Sequence, residues 1–97
     1  MFEIRFTDQA IADLKLLKKA ERRSIVSELE TKLIKEPAVE TRNRKKLRPN
    51  QLAEWELRLG NFRIFYDVDQ DNGLIKIQTV GYKIGSRLII QGKEYKL

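Results

Sequence analysis

The sequence predicts an α+β fold in which an N-terminal strand and a helical hairpin pack on one face of a mainly antiparallel sheet. Three observations predict it. A short alternating segment at the amino end leads into two stretches of helical periodicity separated by only a few residues. The stretch from Glu54 to Val68 alternates in polarity, turns on Gly60-Asn61 and resumes, as a β-hairpin does. Further strand-like runs follow Asn72-Gly73, with no helical pattern among them. Helices with one apolar stripe and a sheet that needs a cover complete each other in two layers.

Phe2-Glu3-Ile4-Arg5-Phe6 alternates and reads as the first strand. Thr7 is placed to cap the helix that follows, and Asp8 lies in its first turn, where the helix dipole favours a negative charge. Ala10, Ile11, Leu14 and Leu17 recur at helical spacing. Lys18-Lys19-Ala20 is a short link to a second helix, expected from about Glu21 to Glu36, with Ile25, Val26, Leu29 and Leu33 on one side and Pro37 as its stop. Residues 38–50 are polar and basic and read as a loop that Leu47 anchors. After the central hairpin, residues 69–73 make a turn, residues 74–81 a strand, and Leu88 to Leu97 a last strand pair turning at Gln91-Gly92.

The central hairpin has a definite register. If Gly60 and Asn61 form a two-residue loop, residue 59 pairs with 62, 58 with 63, 57 with 64, 56 with 65 and 55 with 66. Trp55, Leu57, Leu59, Phe62, Ile64 and Tyr66 then share a face, which must be the buried one, so Trp55 and Tyr66 are core residues. Arg58 and Arg63 stand opposite each other on the other face, which nothing in the sequence is evidently left to cover. Like charges directly opposed weaken a strand pair, so an anion should compensate them, and a phosphate is the natural candidate.

Composition narrows the chemistry. Residues 1–97 are read as one domain, too short for a second core. There is no cysteine, which removes disulfides and thiolate metal sites, and no histidine, which removes the usual general base and the commonest metal ligand. No segment approaches membrane-spanning length and the amino end lacks an apolar run, so a soluble, cytoplasmic protein without metal or cofactor is expected. The net charge is +6, yet residues 1–41 carry equal numbers of basic and acidic side chains. The excess therefore lies wholly in residues 42–97, beginning with Arg42, Arg44, Lys45, Lys46 and Arg48. Such asymmetry points to an anionic partner, most often a nucleic acid; a basic surface serving solubility is the other reading.

The whole order resembles the RelE/ParE toxin family of bacterial and archaeal toxin–antitoxin systems. The residues that carry the likeness are the strand and helical hairpin, the basic segment ending in Lys46-Leu47-Arg48, the Trp55-Glu56-Leu57-Arg58 and Asn61-Phe62-Arg63-Ile64-Phe65-Tyr66 strands, and Val80-Gly81-Tyr82-Lys83. The resemblance implies the RelE-like microbial RNase fold, a cognate antitoxin that wraps the toxin, and operator DNA reached only through the antitoxin complex. It implies a metal-independent endoribonuclease, an mRNA interferase that cuts messenger RNA in the ribosome and inhibits translation. The ParE branch offers a gyrase inhibitor as the alternative, and a non-catalytic binding relative is another, since fold alone does not specify activity.

Under the nuclease reading, Arg63 matches the family arginine that binds the scissile phosphate, with Arg58 assisting from the facing strand. Lys83 stands where an arginine often acts towards the leaving group. Glu54 and Glu56 replace the lysines of the best-known branch, so Glu56 is a candidate base, or else it offsets the two arginines in a surface charge ladder. Ile89 stands where a catalytic tyrosine is expected, and Tyr82 and Tyr95 are the tyrosines near enough to take its place or merely to pack. Arg44, Lys45, Lys46 and Arg48 are the expected RNA contacts by electrostatic steering, unless they belong to a solvated loop. An antitoxin arm is expected on an exposed apolar edge beside the helices or beside Leu88-Ile89-Ile90.

Overall fold

A computed structural model describes residues 2–97, which form two helices and a seven-stranded sheet. The order is β1 (Glu3–Phe6), α1 (Asp8–Lys15), α2 (Lys19–Lys32), β2 (Arg44–Lys46), β3 (Trp55–Leu59), β4 (Phe62–Asp69), β5 (Leu74–Ile84), β6 (Arg87–Ile90) and β7 (Lys93–Tyr95). Strands β2 to β7 are neighbours in chain order and antiparallel, while β1 joins β5 in parallel. The α+β class and the layer arrangement expected from the sequence are those observed.

Thr7 caps α1 by accepting the Ala10 N–H at 3.1 Å, and the Glu21 carboxylate caps α2 from within by accepting the Lys18 N–H at 3.1 Å. The link between the helices is therefore Leu16-Leu17-Lys18. Helix α2 ends at Lys32, before Pro37, because the Arg44 guanidinium takes up carbonyls of the departing chain at Lys32 and Glu36. Ala10, Leu14, Ile25, Leu29 and Leu33 meet Trp55, Leu57, Ile64, Tyr66, Ile75, Ile77 and Val80 in the main core. Trp55 and Tyr66 stack within it, ring centroids 6.2 Å apart, and the Tyr66 hydroxyl donates to the buried Pro37 carbonyl at 2.7 Å.

The β3–β4 hairpin has the expected register throughout, Trp55↔Tyr66 to Leu59↔Phe62. Gly60 takes φ +58° at the first loop position, a backbone state that glycine enters without steric cost. Besides the shifted bounds of α2, two stretches of the sheet differ from expectation. Residues 44–46, read as loop, pair with Leu57, Glu56 and Trp55 as the edge strand β2; three lysines and arginines carry no apolar alternation to reveal them. Residues 82–87, read as leaving the strand, instead continue β5 to Ile84 and turn on Gly85-Ser86 into β6. The Gln91-Gly92 turn then joins β6 to β7 as expected.

The second face of the sheet is not open along its length. Phe65 is fully buried there with Leu88 and Ala53, under Leu47, Leu52, Ile90 and Tyr95. The 47–53 segment and the β6–β7 hairpin curl over it. Gly81 permits the curl, since a Cβ at that position would sit 2.7 Å from the Ile89 carbonyl oxygen. Phe65, an apolar residue in register with Glu56, is the feature that demanded a cover.

One edge of β5 changes partner, from β1 at residues 74–77 to β6 at 82–84. Side chains satisfy the backbone between them: the Thr7 hydroxyl donates to Gln78 O at 2.9 Å, and the Val80 N–H donates to Asp13 Oδ2 at 2.9 Å. Asp13 is buried and also accepts from the Gln9 and Gln91 side-chain amides, at 2.9 and 2.8 Å. Buried backbone donors need partners, so this carboxylate replaces a missing strand. No helix among the described residues is long and apolar enough to cross a membrane.

Candidate functional site

The turn end of the β3–β4 hairpin, the carboxyl end of β5, the α1–α2 link and one side of α2 enclose an open groove of about 1070 Å³. Arg58, Arg63 and Lys83 line it. Arg58 pairs in register with Arg63, Arg63 with Gly81, and the Lys83 N–H donates to Asn61 O at 2.8 Å. Alternation along β5 sets Lys83 on the face of Gly81, and hence of both arginines. Lys83 is thus brought from far along the chain to the surface that Arg58 and Arg63 border, and Lys32, Glu21 and Glu28 of α2 line the same groove.

The two guanidinium heads are drawn apart along the hairpin. Arg58 Nε donates to Glu56 Oε1 at 3.1 Å, whereas Arg63 Nη1 donates to the carbonyls of Gly60 and Phe62 at 2.8 and 2.9 Å. Arg63 Nε is buried and finds no hydrogen-bond partner among the described residues. Partial desolvation lowers the Arg63 pKa below the ordinary arginine value; the Glu56 carboxylate opposes this and Arg58 adds to it. The group stays protonated at neutral pH, and its fork keeps an unused donor.

Glu56 is only 5% exposed and lies beneath this surface as counter-charge to Arg58. That is the charge-balancing arrangement, and in this conformation the carboxylate is not presented to a ligand. Of the expected RNA contacts, Lys45, Lys46 and Arg48 are exposed, with Lys45 in register with Glu56. Arg44 is engaged elsewhere, closing the carboxyl end of α2 through Lys32 O at 3.0 Å and Glu36 O. Ile89 is buried, Tyr95 packs in the second cluster, and Tyr82 alone of the two tyrosines lines the groove. Leu88 and Ile89 offer no exposed edge, but Leu16 and Ile84 do at the groove, 68% and 55% exposed.

A model of the ParE toxin of type II toxin–antitoxin systems matches residues 4–83. The chain belongs to the RelE/ParE family of type II toxins. The toxin–antitoxin complex RelBE2 of Mycobacterium tuberculosis contains a chain 27% identical to this RelE/ParE toxin, with a TM-score of 0.73, over 84% of this chain and 98% of that one. The archaeal RelE–RelB complex of Pyrococcus horikoshii OT3 contains another, at 23% identity and a TM-score of 0.57, over 81% and 91%. A sequence search finds no match among curated proteins.

Residue reasoning missed Asp13, although its position was informative. A carboxylate between Ala10 and Leu14, on the apolar stripe of this toxin's first helix, must meet a donor inside. Asn50 was missed as well: its side chain ties together Arg48, Leu52 and Ala53, ordering the loop that covers Phe65.

Proposed function

We propose that this toxin is a metal-independent, ribosome-dependent endoribonuclease that cuts messenger RNA. The observation that carries the reading is that Arg58, Arg63 and Lys83 all line one open groove. Attack of a ribose 2′-hydroxyl on the adjacent phosphate forms a 2′,3′-cyclic phosphate and breaks the P–O5′ bond, the hydroxyl proton passing to water and a proton returning to the 5′-oxygen, while negative charge builds on the phosphoryl oxygens. Fixed guanidinium donors stabilise such charge, and a fork meets two oxygens at once. Arg63 is the phosphate ligand, leaving its turn carbonyls to engage it. Arg58 assists, and Lys83 serves the leaving oxygen as a point charge. Glu56 holds Arg58 in place and balances the pair until RNA arrives.

A cognate antitoxin is the proposed partner, as in the two solved complexes. Its arm would lay apolar side chains over Leu16 and Ile84 beside the arginines, covering the site. The ribosome and messenger RNA are the proposed targets, and the exposed Lys45, Lys46 and Arg48 add steering charge.

The test is cleavage of a defined message by purified protein with and without ribosomes. Arg63→Ala should lower the cleavage rate about 10²–10³-fold with the fold retained, at a stability cost of about 1–2 kcal/mol for its two bonds to turn carbonyls. Undiminished cleavage by a folded Arg63→Ala protein would refute the assignment. The match to the ParE model favours one second reading, inhibition of DNA gyrase. Growth arrest with intact messages and trapped gyrase–DNA complexes would establish that reading instead.

A further inference from the structure

The second face carries another polar site, at the opposite end of β4 from the hairpin turn. Asp67 Oδ1 accepts the Glu54 N–H at 2.7 Å, and Oδ2 accepts the Gln78 side-chain amide at 2.9 Å. Gln78 stands at the irregularity of the β4–β5 ladder, skipped between the Phe65↔Thr79 and Tyr66↔Ile77 pairs, so its side chain is free to reach Asp67. Opposite them, the four hydrogen bonds of the Asn50 side chain order the loop from Arg48 to Ala53. Between loop and sheet lies a pocket of about 560 Å³, with Lys46 and Arg48 among its walls. That size falls within the ~300–1,000 Å³ of small-molecule sites.

The chemistry of the walls selects a ligand. A carboxylate has about four lone-pair positions, so Asp67 retains acceptor capacity beyond the two bonds it makes. Gln78, with its N–H₂ turned to Asp67, keeps its carbonyl oxygen as another acceptor. The polar floor therefore accepts, while the walls carry the cations Lys46 and Arg48 and the exposed carboxylate of Glu54. A guanine nucleotide matches both features: N1–H and N2–H₂ are adjacent donors for a carboxylate, and its phosphate suits the cations. Uracil places carbonyls on both sides of its single N–H and would set them against Asp67. Unpaired bases in RNA are commonly read in this way on their pairing edge, and an arginine plane gives them a surface to stack on.

We propose that this pocket is a guanine subsite for single-stranded RNA. It deepens, and rests on, the reading of RNA as the substrate. Asp67 lies four residues from Arg63 along β4, about 13 Å away, with the covered Phe65 between them, so an RNA strand that engages both sites passes around that cover. The subsite would set which message sequences the toxin prefers.

Titration of the full chain with 5′-GMP and 5′-UMP, followed by amide NMR shifts, tests the proposal. GMP should bind at least about fivefold more tightly than UMP, with shifts at residues 46–54, 67 and 78. Asp67→Asn keeps an oxygen for the Glu54 N–H but replaces an acceptor with a donor, and should abolish the preference; Gln78→Leu should weaken it. Equal affinities, shifts confined to other residues, or a preference that survives in both folded variants would overturn the proposal. Ribosome-dependent cleavage measured in parallel separates the two ideas. Cleavage without GMP binding overturns the subsite alone, whereas a GMP preference lost in Asp67→Asn, without any cleavage, supports the subsite and overturns the nuclease.

Discussion

Replacing Asp13 by alanine should be the most damaging polar substitution in the core, although the residue does not line the arginine groove. The carboxylate completes the edge of β5 where β1 has ended and β6 has not begun, by accepting the Val80 N–H at 2.9 Å. It also pins the β6–β7 turn through Gln91 at 2.8 Å. Asp13→Ala loses hydrogen bonds to a charged group, worth about 1.5–3 kcal/mol, and leaves the buried Val80 N–H unpaired, which costs about 1–3 kcal/mol more. Gln9 and Gln91 are exposed residues and can turn to water, so they add little. The expected loss is about 3–5 kcal/mol, a large part of the roughly 5–15 kcal/mol that holds a typical domain. For a chain of this size each kcal/mol lowers Tm by about 4–8 °C, so the variant should melt at least about 12 °C below the native protein. Asp13→Asn keeps an oxygen for Val80 and should lose only about 1–2 kcal/mol. Thermal and urea unfolding followed by circular dichroism measure this. A Tm drop under about 4 °C in Asp13→Ala, with the Val80 amide still protected from hydrogen exchange, would show that the carboxylate is not what completes the strand.

Tyr66→Phe should cost about 1–3 kcal/mol at neutral pH by orphaning the buried Pro37 carbonyl. Burial raises the Tyr66 phenol above its ordinary 10.0, with Arg44 opposing. The fold therefore favours the neutral form: this contribution is full below pH 10 and is lost as pH climbs towards the folded value, so alkaline unfolding should be less steep in Tyr66→Phe. Arg44→Ala should destabilise by about 1–2 kcal/mol through loss of the α2 carboxyl-end bonds, and should leave RNA affinity close to native, measured by fluorescence anisotropy. Gly81→Ala should cost about 1–3 kcal/mol or more by forcing a methyl against the Ile89 carbonyl, seen as a lower urea midpoint.

Short-range rules made much of this fold legible. The Gly60-Asn61 loop dictates the hairpin register residue by residue, and the helical stripes name Ala10, Leu14, Ile25, Leu29 and Leu33 as core, although Ile11 of the same stripe is exposed. Strand β2 was not legible, because Arg44-Lys45-Lys46 acquires its pairing only from a β3 already in place. The site was half legible. Register alone placed Arg58 opposite Arg63, but rotamers and distant partners decide where their heads lie, and these turned one towards Glu56 and the other towards the loop. Arg44 reads as one of a basic cluster and becomes a helix fastening only because α2 ends beside it.

By itself, the amino-acid order determined what depends on neighbours in the chain: the alternation of faces, the Thr7 cap, the turn glycines and the surplus positive charge in residues 42–97. Tertiary structure alone decided what depends on segments that meet from afar. It brought Lys83 to the arginines, closed the Phe65 face with the last hairpin and set Asp13 against Val80. The division is physical. Periodicity and turn chemistry act over a few residues, whereas a buried donor or an apolar face takes whichever distant group compaction delivers to it.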